Sequence, residues 1–116
     1  GLDEDLGEFI TPLADLAAKV EKLTAEIGMK AMKNPEEVGA AAVPYLRVVG
    51  HLIYAYFFTR MAKIALEKRD SGDDFYKAKL ATARFYFARL LPETAMLIRQ
   101  ARAGSASLME LDAALF

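Results

Sequence analysis

The stretch Val48-Val49-Gly50-His51-Leu52-Ile53-Tyr54-Ala55-Tyr56-Phe57-Phe58-Thr59-Arg60-Met61-Ala62-Lys63-Ile64-Ala65-Leu66 decides the fold. It holds no proline, and its aromatic and aliphatic residues surround most of a helical cylinder instead of lining one stripe. A helix of that kind is central in a bundle, or it meets a partner with its second face. A bilayer-spanning reading is opposed by Arg47, His51, Arg60 and Lys63, which leave an unbroken apolar run only from Leu52 to Phe58. Spanning takes roughly 20 predominantly apolar residues. Core packing and an exposed aromatic patch can share this helix, and Tyr54, Phe57 and Phe58 are the candidate interface residues. Contiguous exposed apolar surface marks interaction sites.

Upstream, Asn34-Pro35-Glu36-Glu37 is a helix start. Asparagine caps, proline tolerates the first helical position, and the two acids favour the positive end of the helix dipole. The helix should run to about Arg69, with Pro44 predicting a kink or break near Ala40–Val43. Before it, Leu6, Leu13, Val20 and Ile27 recur every seven residues, and Phe9, Leu16 and Leu23 follow the first three by three. Ile10 and Ala17 widen this into the one-sided face of a bundle helix. Asp15–Lys19 and Glu26–Lys30 have the spacing of helical ion pairs. Thr11-Pro12 reads as a cap and first helical residue, so residues 2–10 are expected to form a separate short turn.

Downstream, Asp70-Ser71-Gly72-Asp73-Asp74 is a loop, with Asp73 placed to cap a third helix from Asp74 to about Arg102. Its apolar residues are Phe75, Leu80, Ala83, Phe87, Leu90, Leu91, Leu97 and Ile98, and Pro92 predicts a kink. Gly104 suits a left-handed stop. Ser107-Leu108-Met109-Glu110 is a capping box for a short last helix, Leu108 to about Leu115. The predicted class is all-α: an antiparallel bundle of three long helices plus a short C-terminal one, in a single domain over residues 1–116.

Composition narrows function without naming it. Of 116 residues, 54% are apolar and 27% charged, with no cysteine and one histidine. That excludes a disulfide scaffold, a thiolate zinc site, a cysteine nucleophile and a His-rich metal site within one chain. Fifteen bases against sixteen acids leave no global field for nucleic acid. The charge is divided, however. Residues 1–40 carry nine acids and four bases, whereas residues 41–104 carry eleven bases and five acids. Opposite charges on the first and third helices are therefore expected to meet at the rim. The alternative is an anion site along Lys77, Arg84 and Arg102, with Phe85 and Tyr86 as stacking platforms for single-stranded nucleic acid.

No nucleotide-binding glycine loop, metalloprotease helix, nucleophile elbow or paired carboxylate occurs. His51 reads as a partly buried polar group bonded to a neighbour, with an acid–base role as the alternative. Glu93 reads as the ion-pair partner of Arg89, with a catalytic base as the alternative. No catalytic, cofactor-binding or metal residue is assigned.

Three stretches taken together resemble a known family: Val43-Pro-Tyr-Leu-Arg-Val-Val-Gly50, Phe75-Tyr-Lys-Ala-Lys-Leu-Ala-Thr-Ala-Arg-Phe-Tyr-Phe-Ala-Arg-Leu-Leu-Pro92, and Ala101-Arg-Ala-Gly-Ser-Ala-Ser-Leu-Met109. They are similar to the C-terminal helical domain of a subset of acyl-CoA dehydrogenases, the group that includes 3-methylmercaptopropionyl-CoA dehydrogenase-like enzymes. The most specific part runs from Lys79 to Phe85, with Leu91-Pro92. The resemblance covers most of residues 6–116 and implies an FAD enzyme that oxidises an acyl-CoA thioester at Cα–Cβ. A carboxylate takes the α-proton, hydride passes to FAD, and electrons leave to an electron-transfer flavoprotein. The flavin site, acyl-CoA pocket and base of such enzymes lie in preceding domains, so no catalytic or FAD-binding residue carries over, Glu93 included.

By that resemblance the segment is a structural appendage that binds no cofactor itself. Its partners would be the catalytic domains and further copies in a homo-oligomer. A start at Gly1 fits a piece of a longer chain. No basic and apolar leader is visible, and a cytoplasmic location is expected. The readings from other classes are a free-standing dimerisation module using Tyr54, Phe57 and Phe58, and a small helical enzyme handling an anion with Arg47, Arg60 and Arg84.

Overall fold

The computed structural model describes residues 1–109, in which every regular element is helical. Helix α1 spans Leu2–Lys33, α2 spans Glu36–Glu67, α3 spans Asp74–Phe85, α4 spans Glu93–Arg102 and α5 spans Ala106–Met109. Short links join the long elements, so α2 runs antiparallel to α1, and α3–α4 turn back along it. Two ion pairs fix the relation of the outer elements. Arg84 binds Glu8 at 2.6 Å and Arg102 binds Glu26 at 2.7 Å, each pair separated by 76 residues. That constant offset makes α1 parallel to α3–α4. The acid-rich first helix and base-rich third region meet at the rim as the charge division predicts.

Helix α1 does not start at Pro12. It is continuous from Leu2, with Pro12 in its interior. Proline removes one helical donor at a cost of about 3 kcal/mol. Burial on both sides of it opposes that cost, with Leu6 and Phe9 before and Leu16, Val20 and Leu23 after, all in the core. Ile10 and Ala17 belong to the exposed surface, so the apolar stripe is narrower than the sequence suggests.

Pro44 likewise leaves α2 unbroken. The Asn34 Oδ1 atom accepts from Glu36 N at 3.1 Å, which caps the start of that helix. The loop after α2 ends as expected: Gly72 has φ +76°, and the Asp73 carboxylate accepts from Phe75 N at 2.9 Å.

The third helix is two helices. Pro92 has no N–H for the Ala88 carbonyl, and the chain widens before it into a π turn over Tyr86–Leu90. Leu91 N–H reaches back five residues to the Tyr86 carbonyl at 2.9 Å. The Thr94 hydroxyl and amide both bond the Leu91 carbonyl, restarting the helix as α4. Phe75 and Leu90 are exposed, contrary to their place in the predicted apolar set, while Ala83, Leu91, Leu97 and Ile98 are buried.

Gly104, at φ +79°, stops α4. The Glu37 carboxylate then takes the Ser105 hydroxyl at 2.6 Å and its amide at 3.1 Å, tying the entry of α5 to the start of α2. Helix α5 begins at Ala106, one residue before the predicted capping box, so Ser107 lies within the helix instead of capping it. Glu110 and the remainder of the predicted last helix lie outside the described residues.

Helix α2 is the centre, packing against α1, α3 and α4. Its buried residues are mostly small: Ala41, Val48, Ala55, Thr59, Ala62 and Ala65, with Leu66. Small side chains let the neighbouring helices approach closely and leave the large apolar residues of α2 elsewhere. The molecule is thin and long, with Cα extents of 66 × 29 × 14 Å. Its radius of gyration is 18.7 Å, against about 13 Å for a compact chain of ~100 residues.

Candidate functional site

The helical repeat of α2 sorts its residues into two faces. At 100° per residue, Ala41, Val48, Ala55, Thr59, Ala62 and Leu66 share one narrow sector. Val43, Leu46, Gly50, Ile53, Phe57 and Ile64 fall within about a quadrant on the opposite side, at heptad spacing. The five side chains of that second stripe are each more than half exposed, from 51% for Ile53 and Ile64 to 68% for Val43. A central helix thus carries its bulkier apolar residues outward.

Of the three candidate interface residues, Tyr54 and Phe57 are exposed, at 60% and 56%. Phe58 is turned inward and stacks on Tyr86, with ring centroids 4.6 Å apart and 21° between planes. The sequence reading therefore combines two environments. Its surface part extends along the helix to Val43, Leu46, Ile53 and Ile64, which heptad counting from Phe57 identifies.

One edge of the outward stripe borders α1. Leu13, Ala17, Leu52, Ile53, Tyr56 and Phe57 line an open groove of about 530 Å³, without a polar side chain at its floor except the tyrosine. The other edge borders a polar network. The Glu93 carboxylate receives Arg47 at 2.5 Å on one oxygen and lies 3.1 Å from His51 Nε2 with the other. His51 Nδ1 is 2.8 Å from the Tyr86 hydroxyl, which donates to the His51 carbonyl at 2.9 Å.

Nε2 faces a carboxylate, which accepts only. Burial pushes the Tyr86 hydroxyl up to about 12, with Tyr54 and Glu93 adding to the shift. The network joins α2, the π turn and α4. It includes no Ser, Thr, Cys or Lys side chain, and Glu93 pairs with Arg47 and His51 instead of Arg89.

The basic residues of the anion-site alternative are dispersed by their partners. Arg84 is held by Glu8 and Arg102 by Glu26, while Lys30 donates to the Arg102 carbonyl at 2.9 Å. Arg47 is held by Glu93, and Arg60 lies over the Tyr56 ring at 5.8 Å. Arg47, Arg60 and Arg84 are thus engaged separately and do not converge. Asp15–Lys19 forms the expected helical pair at 2.8 Å, whereas Glu26 turns to Arg102 instead of Lys30. Among the described residues no group of three or more His, Asp or Glu side chains is arranged to hold a metal.

The described residues also do not fit a flavin. The groove beside α1 is open, and its lining of Leu13, Ala17, Leu52, Ile53, Tyr56 and Phe57 offers no cation to a pyrophosphate. Helix α2 does have the length and composition of a membrane-crossing helix, with an 18-residue window of mean hydropathy 1.3, of which 17% is buried inside the chain. Arg47 and His51, on that helix, are bonded to Glu93 and Tyr86 within the bundle.

A family model described as acetyl-CoA dehydrogenase C-terminal like matches residues 2–112. No curated protein matches the chain.

Proposed function

The chain belongs to the acetyl-CoA dehydrogenase C-terminal-like family, and from that premise we propose that it is the structural appendage of an FAD-dependent acyl-CoA dehydrogenase. In this reading the flavin, the acyl-CoA pocket and the base lie in the catalytic portion of the enzyme. The helical domain covers that portion and supports assembly of a homo-oligomer in the cytoplasm. It performs no chemistry of its own, and electron-transfer flavoprotein would meet the catalytic portion, not this domain.

The observation that carries the proposal is the outward stripe of α2. Five bulky apolar side chains more than half exposed on the central helix form a surface of the kind that is covered in an assembly. The amphipathic faces of α1 and α4 are already spent on α2, so nothing within the described residues covers it.

The test is capture of the native polypeptide from source cells, followed by intact mass and visible absorption. A yellow, flavin-bearing species several times heavier than 12.8 kDa is the expected result. A colourless 12.8 kDa chain would overturn the appendage reading. Light scattering on Phe57→Asp then tests the dimerisation module, which predicts loss of a dimer with helicity retained.

A further inference from the structure

We propose that the outward stripe of α2 is a knobs-into-holes seam for an acidic amphipathic helix of the catalytic body, with a hollow at Gly50 receiving a knob from that helix. This rests on the appendage reading above and names the partner surface it needs.

Gly50 occupies a heptad position inside the stripe, where a bulky residue would keep the ridge continuous. A Cβ built there meets nothing within 4 Å, as at the other helical glycines Gly7, Gly28 and Gly39, so packing within the domain does not require glycine at this site. Within a helix glycine is destabilising by roughly 0.5–1 kcal/mol relative to alanine. Its effect here is a hollow between Leu46, Arg47, Ile53 and Tyr54, its three- and four-residue neighbours. On the side of Gly50 that faces the polar network, Arg47, Gly50, His51 and Tyr54 line a depression of about 210 Å³. A hole bordered by four side chains of one helix is what a knob from a facing helix fills.

Charge identifies the partner. No acid occurs between Glu37 and Glu67, whereas Arg47, Arg60 and Lys63 all do. Arg47 borders one edge of the stripe, and Arg60 and Lys63 lie towards the other. Neither Arg60 nor Lys63 makes an ion pair among the described residues. Two copies of α2 facing each other would bring basic stripes together, which disfavours self-pairing. Arg47 is already held by Glu93, so a helix with apolar heptads and Asp or Glu along one flank places opposite charge against Arg60 and Lys63, as flanking pairs do in coiled coils. A lipid surface would tolerate the bases at the rim but has no use for a hole in the ridge.

The experiment uses the full native polypeptide with p-benzoylphenylalanine in place of Phe57, a near-isosteric probe already at the surface. Irradiation followed by peptide mass spectrometry reads what lies against the stripe. The expected adduct is a peptide of the dehydrogenase catalytic portion with apolar residues at i, i+3 or i+4, and i+7, and Asp or Glu beside them. Its yield should fall about tenfold or more when Gly50→Leu plugs the hollow, and should also fall at high salt. Circular dichroism of the Gly50→Leu protein should show helicity undiminished.

An adduct with α2 of a second copy, with lipid, or with a peptide lacking an acidic flank would overturn the seam, as would no adduct. Undiminished yield in Gly50→Leu would overturn the hollow. An acidic amphipathic helix from a polypeptide with no dehydrogenase portion keeps the seam and overturns the appendage reading. A second-copy adduct in a flavin-bearing assembly does the reverse.

Discussion

The Tyr86 hydroxyl donates to the main-chain carbonyl of His51 at 2.9 Å, and its oxygen lies 2.8 Å from Nδ1 of the same residue. One phenol thus holds both the backbone and the ring of a histidine on another helix. Tyr86 also stacks on Phe58 and meets Phe87 edge-on at 5.6 Å, so it connects the polar network to the apolar core. The π turn that begins at Tyr86 is what the chain adopts on approaching Pro92.

Tyr86→Phe keeps the ring and removes both bonds, leaving a partly buried imidazole nitrogen without its partner. The expected loss is about 1–3 kcal/mol in urea unfolding. The hydroxyl also gives an alkaline signature. Its folded value is raised to about 12 from an ordinary 10.0, so the folded state holds the proton more tightly. The resulting stability is fully present below pH 10 and is lost as pH rises through about 12. Absorbance at 295 nm should show a tyrosinate step near 12 that is missing from Tyr86→Phe. Persistence of that step in the variant would refute its assignment to Tyr86.

Glu93 and Arg89 separate the network from simple helical spacing. Glu93→Ala strips Arg47 and His51 of a shared acceptor that is one-third exposed, and about 1–3 kcal/mol is the expected loss. Arg89→Ala removes an exposed side chain with no ion pair in the described residues and should change stability by no more than about 0.5 kcal/mol. Equal losses in the two variants would contradict the network.

Much of the fold is legible because the signals are local. Asp73 before Phe75, the glycines at 72 and 104, and the Asn34 cap each act within a few residues. The charge division also reads through, since opposite surpluses on two helices have few other ways to pair. Prolines read less well: Pro12 and Pro44 both look like breaks, but tertiary packing on either side keeps those helices continuous. The π turn depends on how the chain widens around the missing Pro92 donor, which a kink expectation does not specify.

The candidate site is half legible. Tyr54 and Phe57 are surface residues, but Phe58 is adjacent in sequence and on another face of the helix. Tyr86 carries no sequence mark that separates it from Phe85 and Phe87. Only the fold brings it to His51, 35 residues away in the chain.

The ion pairs between α1 and the base-rich half should give an acid limb. A hydrogen bond from Arg69 holds Asp5 below its ordinary value of 3.8, and one from Arg102 holds Glu26 below 4.5, with burial opposing both. A carboxyl lowered in the folded state contributes stability above its unfolded value, and that contribution is lost as pH falls through the folded value. The unfolding midpoint should therefore decline on acidification below about 4.5, and less so in Arg102→Gln or at high salt. These side chains are exposed and the effect is correspondingly small. An acid limb of equal steepness in Arg102→Gln would show that Glu26 does not contribute to it.

Pro44 offers the converse test, a substitution that should stabilise. It lies inside the unbroken helix α2, where it supplies no donor to the Ala40 carbonyl and its ring crowds that group. Alanine restores the donor, and the helix-interior penalty of proline is about 3 kcal/mol. Proline also restricts the unfolded chain, and releasing that restriction offsets about 0.4–1 kcal/mol. Pro44→Ala should therefore gain about 2–2.6 kcal/mol in urea unfolding with an unchanged slope. The amide of residue 44 should become protected from exchange in the variant. A loss of stability would mean that the backbone geometry imposed by Pro44 fits α2 to its neighbours, so that alanine sacrifices more in packing around Ala41 and Val48 than it gains in hydrogen bonding.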